Sequence, residues 1–189
     1  MPQLTEVRWH GRGGQGAKTA GYVLAVAAAE EGWNIQAFPE YGAERRGAPM
    51  KSYVRISDGP IRLRSGVRSP DIVLVLDDTL LATENVTEGI APEGVLVVNS
   101  DEDVDTVREM IGDADLKLFV VNATRIAMDT IGRPIPNTPM LGALAKATGL
   151  VSVDAMKRAV ERQLGSKLSA AALEGNYQAI ERAYEEVTQ

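Results

Sequence analysis

The chain contains no cysteine among its 189 residues. That excludes disulfides, thiol catalysis and any iron–sulfur cluster ligated by this chain. Histidine is nearly absent too: His10 is the single one. A Ser-His-Asp arrangement therefore has little to stand on, and no spacing of His, Asp and Glu makes a metal site. His10 lies at a strand end beside a glycine turn, a position that suits a structural role. Long hydrophobic runs are also missing. The longest, residues 22–29, is far short of the ~20 residues a membrane helix needs. The opening residues lack the basic-then-apolar order of a secretory leader. No membrane association is expected, and a cytoplasmic setting is.

What charge there is lies unevenly. The net charge is −6 at pH 7, which argues against general nucleic-acid binding. Residues 1–70 hold ten Lys and Arg against six Asp and Glu, whereas residues 71–189 hold ten against twenty. A locally basic first third on an acidic protein fits a confined anion site, a charged partner surface or a solvated face.

The hydrophobic pattern predicts one α/β domain over residues 1–189, with no repeat, linker or low-complexity tract. Residues 5–10 read as a strand and residues 17–31 as a helix whose small residues, Ala17, Ala20, Gly21 and Ala28, share a face with Leu24. Residues 34–38 read as a second strand, giving a βαβ unit with a parallel pair. Residues 50–64 read as a β-hairpin turned at Asp58-Gly59. The apolar runs 71–76, 95–98 and 116–121 read as buried parallel strands. Beyond Asn122 the pattern is helical: Thr138 as N-cap with Pro139 behind it, a stop at Gly149, then helices at 153–164 and 168–186. The fold expected is a Rossmann-like, three-layer α/β/α arrangement with a mixed, mainly parallel sheet, a β-hairpin and a helical C-terminal tail.

Four glycines, Gly11, Gly13, Gly14 and Gly16, punctuate the turn between the first strand and first helix. The phosphate loop of nucleoside triphosphatases wants glycine before the lysine, and Ala17 stands before Lys18. The dinucleotide pattern G-x-G-x-x-G is met by Gly11, Gly13 and Gly16, but Glu40 lies beyond the place a ribose-binding acid should occupy. A free-standing NAD(P)-binding oxidoreductase is the alternative this pattern leaves open. The shared physics asks for less: glycines admit a ligand to the backbone, and amides at a helix start favour negative charge. Arg12 and Lys18 add cations. A tight turn that only packs the helix satisfies the same pattern.

In the expected hairpin register Arg55 faces Arg62, with Arg64 on the same side, and like charges so placed repel. Arg45, Arg46, Lys51 and Arg68 are near in sequence, and Glu44 cannot offset them all. A partner surface supplying carboxylates is the favoured resolution. Asp77-Asp78 ends a buried strand, a usual place for ligand contacts, and is read as the cap of the next helix.

Three ordered motifs complete the reading. They are Gly11-Arg12-Gly13-Gly14-Gln15-Gly16 with Ala20, then Pro39-Glu40-Tyr41-Gly42-Ala43-Glu44-Arg45-Arg46-Gly47, then Asn137-Thr138-Pro139-Met140-Leu141-Gly142. Together they resemble the gamma subunit of 2-oxoacid:ferredoxin oxidoreductases of the pyruvate synthase type, over nearly the whole chain. The resemblance implies a subunit that carries no catalytic centre of its own. Thiamine diphosphate, Mg and iron–sulfur clusters would sit on alpha, beta and delta type partners, and electrons would pass to ferredoxin as the 2-oxoacid is decarboxylated. It implies a Rossmann-like domain over the active site, helping to hold coenzyme A at its surface. The residues expected there are Gly11, Arg12, Gly13, Gly14, Gln15, Gly16, Lys18 and Asn137. Tyr41, Glu44, Arg45, Arg46, Arg55 and Arg62 are expected at the partner interface.

Overall fold

The computed structural model describes residues 3–40, 47–112 and 116–189. In chain order they form β1 (Leu4–Arg12), α1 (Ala17–Glu30), β2 (Asn34–Pro39), β3 (Pro49–Ser57), β4 (Ile72–Val75), α2 (Leu80–Thr83), β5 (Val95–Asn99), α3 (Val104–Ile111), β6 (Lys117–Val121), α4 (Ala123–Ile131), α5 (Asn137–Thr148), α6 (Val153–Leu164) and α7 (Ala170–Glu186). The six strands make one sheet in the order β2-β3-β1-β4-β5-β6. β1, β4, β5 and β6 run parallel, and β3 is antiparallel to both β1 and β2. The α/β class, the mainly parallel sheet and the helical last third are as the sequence indicates.

The apolar runs of β4, β5 and β6 follow from burial on two sides. Val7, Trp9, Ile72, Leu74 and Val97 share one core with buried residues of α1 and α4–α7. Val73, Val75, Leu96, Val98, Leu118 and Val120 make a second with Leu80 of α2 and Val107 of α3. On the first side the helices lie close. A Cβ on Gly142 of α5 would come within 2.0 Å of the Ile180 carbonyl oxygen of α7. All five residues assigned to the small face of α1 are buried.

Two strand expectations are overturned. β1 and β2 do run in the same direction, but they are not neighbours, because β3 lies between them. The hairpin does not form. β3 ends at Ser57 and pairs on both sides, with Arg55 opposite Glu6 of β1 and Gln36 of β2. Pro60, at the head of the supposed return strand, has no N–H for a ladder. The Ser57 hydroxyl accepts from the Gly59 amide at 3.1 Å, and the chain leaves the sheet there. An interior strand needs two partners, and the sequence supplies them from β1 and β2 instead of from residues 60–64.

Arg55 is consequently not a surface cation. It is 1% exposed, and its Nε lies 2.7 Å from Glu6 Oε1. Its remaining donors reach Gln36 Oε1 at 3.0 Å and the Gly66 carbonyl at 3.3 Å, and its guanidinium lies 5.4 Å from the Phe38 ring centroid. Arg62 is exposed and outside any strand. The repulsion expected between the two does not arise. On this same side of β1, buried Arg8 donates to the carbonyls of Val86 and Glu88 at 2.9 and 2.8 Å, tying down the segment after α2.

Candidate functional site

From β1 the chain turns through α1 toward β2, and from β4 it turns through α2 toward β5. The strand order reverses between these two neighbours. In open α/β sheets a crevice opens at such a point, outside the carboxyl ends of the strands, and ligands bind there. The glycine turn forms one lip and residues 77–79 the other.

The turn is built from side chains as much as from glycine. The Arg12 amide donates to Gln15 Oε1 at 2.7 Å, and the Gln15 amide donates back to the Arg12 carbonyl at 3.0 Å. Gln15 Nε2 then donates to Asp77 Oδ2 at 2.6 Å. Arg12 Nε lies 3.2 Å from that same oxygen, Nη2 reaches Thr79 Oγ1 at 2.8 Å, and Nη1 reaches the Gly47 carbonyl at 3.3 Å. Two backbone bonds, Gly13 N to Ala48 O at 2.9 Å and Gly47 N to Gly13 O at 3.0 Å, tie the turn to the approach to β3.

Asp77 is the hub of this lip. Its other oxygen accepts from the Thr79 amide at 3.1 Å and from the Thr79 hydroxyl. Burial pushes its carboxyl up, but the bonds from Thr79 and Gln15 and the charge of Arg12 outweigh that and hold it below the usual range. The N-cap of α2 is Thr79, without a side-chain bond to the helix amides. Asp77 therefore organises the glycine turn, and Asp78 accepts from the Ser100 hydroxyl at 2.6 Å, so the capping role expected of this pair gives way to bracing. Position held the signal: Leu76, one residue earlier, donates its amide to the His10 carbonyl at 2.8 Å, which sets the two strand ends side by side.

Behind the lip stands the N-terminus of α1. Gly16 is its N-cap, in the left-handed region at φ 84°, and provides no side-chain acceptor. Gly14 is left-handed as well, at φ 104°. The first-turn amides of Ala17, Lys18 and Thr19 precede the first intrahelical bond, which runs from Ala20 N to Gly16 O at 2.9 Å. No acidic residue stands in that turn. By contrast Asp103, Asn122, Ser152 and Ser169 each cap their helices with a side chain. Lys18 is exposed on the same turn.

The N-terminus of α5 meets the same place. A Cβ on Gly16 would lie 2.7 Å from Asn137 Nδ2, so the Asn137 side chain rests against the N-cap of α1. Asn137 Oδ1 accepts from the Thr138 amide at 2.9 Å. Thr138 is not a cap, because α5 begins at Asn137, and the buried Thr138 hydroxyl donates to Asn176 Oδ1 at 2.8 Å. Gly11–Gly16 and Asn137 are thus brought together, with Lys18 one turn along. The arrangement offers first-turn amide N–H groups beside two cations, Arg12 already paired with Asp77, which suits a phosphate-bearing group and supplies no general acid or base.

Of the residues expected at a partner surface, Tyr41, Glu44, Arg45 and Arg46 lie outside the described residues. Arg55 belongs to the interior, as above, and Arg62 remains on the surface beside exposed Leu63 and Arg64. Among the described residues no helix is long and apolar enough to cross a membrane. Glu40, the acid nearest the place a ribose would need one, accepts a hydrogen bond from the Tyr53 hydroxyl.

Residues 6–186 match the family described as pyruvate ferredoxin/flavodoxin oxidoreductase. The chain is 50% identical over 182 residues to the pyruvate synthase subunit PorC of Thermotoga maritima, covering 96% of this chain and 94% of that protein. It is 44% identical over 182 residues to the pyruvate/ketoisovalerate oxidoreductases common subunit gamma of Pyrococcus abyssi, covering 96% of each. The crystal structure of the Thermotoga maritima pyruvate oxidoreductase subunit PORC superposes with a TM-score of 0.86 at 44% identity, over 98% of both chains. A 2-oxoglutarate:ferredoxin oxidoreductase from Magnetococcus marinus, solved with 2-oxoglutarate, coenzyme A and succinyl-CoA bound, shares the fold at TM-score 0.78 and 19% identity. That match covers 97% of this chain and 31% of the other.

Proposed function

Because the chain belongs to the pyruvate ferredoxin/flavodoxin oxidoreductase family, as a gamma-type subunit, we propose that it holds coenzyme A for a reaction completed on partner subunits. The reaction is oxidative decarboxylation of a 2-oxoacid, pyruvate in the first instance, to the acyl-CoA and carbon dioxide, with electrons passed to ferredoxin. Thiamine diphosphate with Mg, and the iron–sulfur clusters, belong to alpha, beta and delta type partners; the thiamine group supplies the carbanion chemistry when bound. The complex works in the cytoplasm.

One observation carries the coenzyme role. Helix α1 starts on a glycine with no capping side chain and no acid in its first turn, beside Arg12 and Lys18. Backbone amides and helix dipole there favour a phosphate. Replacing Arg12 and Lys18 together by alanine is expected to raise the Michaelis constant for coenzyme A in the assembled complex. An unchanged constant with the complex intact removes both residues from the site.

The basic stretch around Arg45, Arg46 and Arg62, with Tyr41 and Glu44, is proposed to dock on the alpha-type partner. Reversal of Arg45 and Arg46 to glutamate is expected to impair co-purification, and undiminished assembly overturns this interface.

A further inference from the structure

The two edges of the sheet are treated differently. At β6 the last residues of the chain fold back over the edge. The Val120 amide donates to the Thr188 carbonyl at 2.9 Å, and the Thr188 amide donates to the Val120 carbonyl at 3.0 Å. At β2 no such cover exists among the described residues, and the strand pairs with β3 alone.

The register says which groups are left over. The Glu40 amide donates to the Lys51 carbonyl at 3.0 Å, which fixes the alternation along this antiparallel ladder. Asn34, Gln36 and Phe38 therefore turn their main chain to β3, and Ile35 and Ala37 turn theirs outward. Pro39 shares the outward position and has no N–H to offer. Residues 60–64 lie outside any strand, and the Gln36 side chain donates to the Leu63 carbonyl at 3.1 Å. No main-chain bond joins that segment to β2 among the described residues. The N–H and C=O groups of Ile35 and Ala37, with the Pro39 carbonyl, form an open row, the template for a further strand.

The two sides of this edge differ in character. Ile35 and Ala37 lie opposite Ile56 and Val54, on the α1 side, where Ile35 is 39% exposed. Gln36 lies opposite Arg55 on the other side, and its bond to Leu63 sets Arg62, Leu63 and Arg64 near the edge. Leu63 is 46% exposed. Arg62 and Arg64 are exposed, and neither is in a salt bridge among the described residues. This charge selects the occupant. A second copy, paired edge to edge about a two-fold axis, brings its own Arg62 and Arg64 to the same side of the joined sheet, where like charges repel. An acidic segment meets no such objection.

We propose that the edge of β2 receives an extended segment of a partner subunit as an added strand. Its alternate side chains are apolar on the α1 side, against Ile35, and acidic on the other, toward Arg62 and Arg64. Main-chain pairing supplies affinity in such a joint, and the alternating side chains supply the choice of partner. The inference rests on the reading that the basic part of the chain docks on a partner subunit, and it names the mode of docking.

Hydrogen exchange resolved to single amides, compared between the free full-length chain and the assembled complex, tests the pairing. The Gln36 and Phe38 amides, held by β3, are expected to exchange slowly in both. The Ile35 and Ala37 amides are expected to exchange fast in the free chain and to slow by about tenfold or more on assembly. Unchanged exchange at these two overturns the proposal. Slow exchange already in the free chain overturns it too, and dimerisation on size exclusion would then name a second copy as the occupant.

Ala37→Pro removes one outward donor and sets a ring in the path of the incoming strand. Pro39 shows that β2 already accommodates proline at an equivalent position, the solvent side of an edge strand. Co-purification of this variant with the partner subunits should fall about tenfold, the scale of a lost hydrogen bond, while Ala37→Ser, which keeps the N–H, should assemble like the parent. Assembly of the proline variant at the parent level overturns the added strand; if that variant does not fold, the exchange measurement decides alone. Arg62→Glu with Arg64→Glu should also lower co-purification, and a parent-level yield overturns the acidic character of the segment. The docking reading is judged separately by Arg45→Glu with Arg46→Glu. Normal assembly of that variant, with Ile35 and Ala37 still protected, removes the role of those arginines and keeps the strand. Impaired assembly of it, with no protection at Ile35 and Ala37 in the parent complex, keeps the docking and removes the strand.

Discussion

Asp77 Oδ2 and Gln15 Nε2 lie 2.6 Å apart, and that contact joins the end of β4 to the turn that follows β1. Gln15 in turn accepts from the Arg12 amide, and Arg12 reaches back to Asp77. The carboxylate therefore sets the backbone of the turn through Gln15 and the direction of the guanidinium through Arg12. In this fold the glycines permit the conformation, and the aspartate chooses it.

Asp77→Asn tests that division of labour. The variant keeps a hydrogen-bonding side chain but loses the charge that holds Arg12. Its Michaelis constant for coenzyme A in the assembled complex should rise about tenfold, the worth of one charge-assisted bond. Turnover at saturating coenzyme A should stay near that of the unmodified complex, because Asp77 positions the turn and touches no reacting atom. A fall in turnover alone would contradict this assignment.

Gly16 and Asn137 give a second test, on stability. Alanine at position 16 must adopt φ 84° and place a Cβ within 2.7–2.9 Å of the Asn137 side chain. The left-handed conformation alone costs on the order of 1–3 kcal/mol in a non-glycine residue. Urea denaturation of Gly16→Ala should show at least that loss. Combining it with Asn137→Ala should restore the part due to the contact, leaving the backbone part. Strict additivity of the two variants would mean that the side chains do not meet.

Much of this fold was legible because it rests on periodicity and burial. The runs behind β4, β5 and β6 and the small face of α1 are decided by which side faces the core, and sequence shows that directly. The glycine turn and Asn137 were legible as motifs. The place of β3 was not, because Asp58-Gly59 is a strong local turn signal, whereas the partners of Arg55 are 49 and 19 residues away. Local pattern cannot weigh a strand inserted between two others. The role of Asp77 was hidden for the same reason: a parallel register brings it to Gln15 across 62 residues.

Arg55 and Arg62 should separate cleanly in a stability measurement. Removing a buried member of an ion pair strands its partner, at a cost of about 3–5 kcal/mol when both are fully buried. Glu6 is 17% exposed, so Arg55→Met is expected at or just below the low end of that range. Glu6→Gln in the same chain should recover part of the loss. Arg62→Met, on the surface, should stay within about 0.5 kcal/mol of the parent. Equal effects at the two positions would contradict the placement of β3 between β1 and β2.

The pH dependence of stability should carry the signature of His10. Burial first, then the charges of Arg8 and Lys51, hold its folded pKa at about 3, against 6.5 for the free side chain. Below pH 6.5 the unfolded chain takes up a proton that the folded chain refuses, so the unfolded state binds more protons. Stability therefore rises with pH across this window and is lost as pH falls from 6.5 toward 3. The slope from one such group is at most about 1.4 kcal/mol per pH unit. Asp77, held below its ordinary range, adds loss of the same sign from about pH 5 downward. Between pH 6.5 and 5 the contribution of His10 is thus isolated from that of Asp77. Urea midpoints measured across that interval should fall more steeply for the parent chain than for His10→Gln, which has no proton to gain. Parallel curves for the two proteins would mean that the imidazole is protonated or solvated in the folded state.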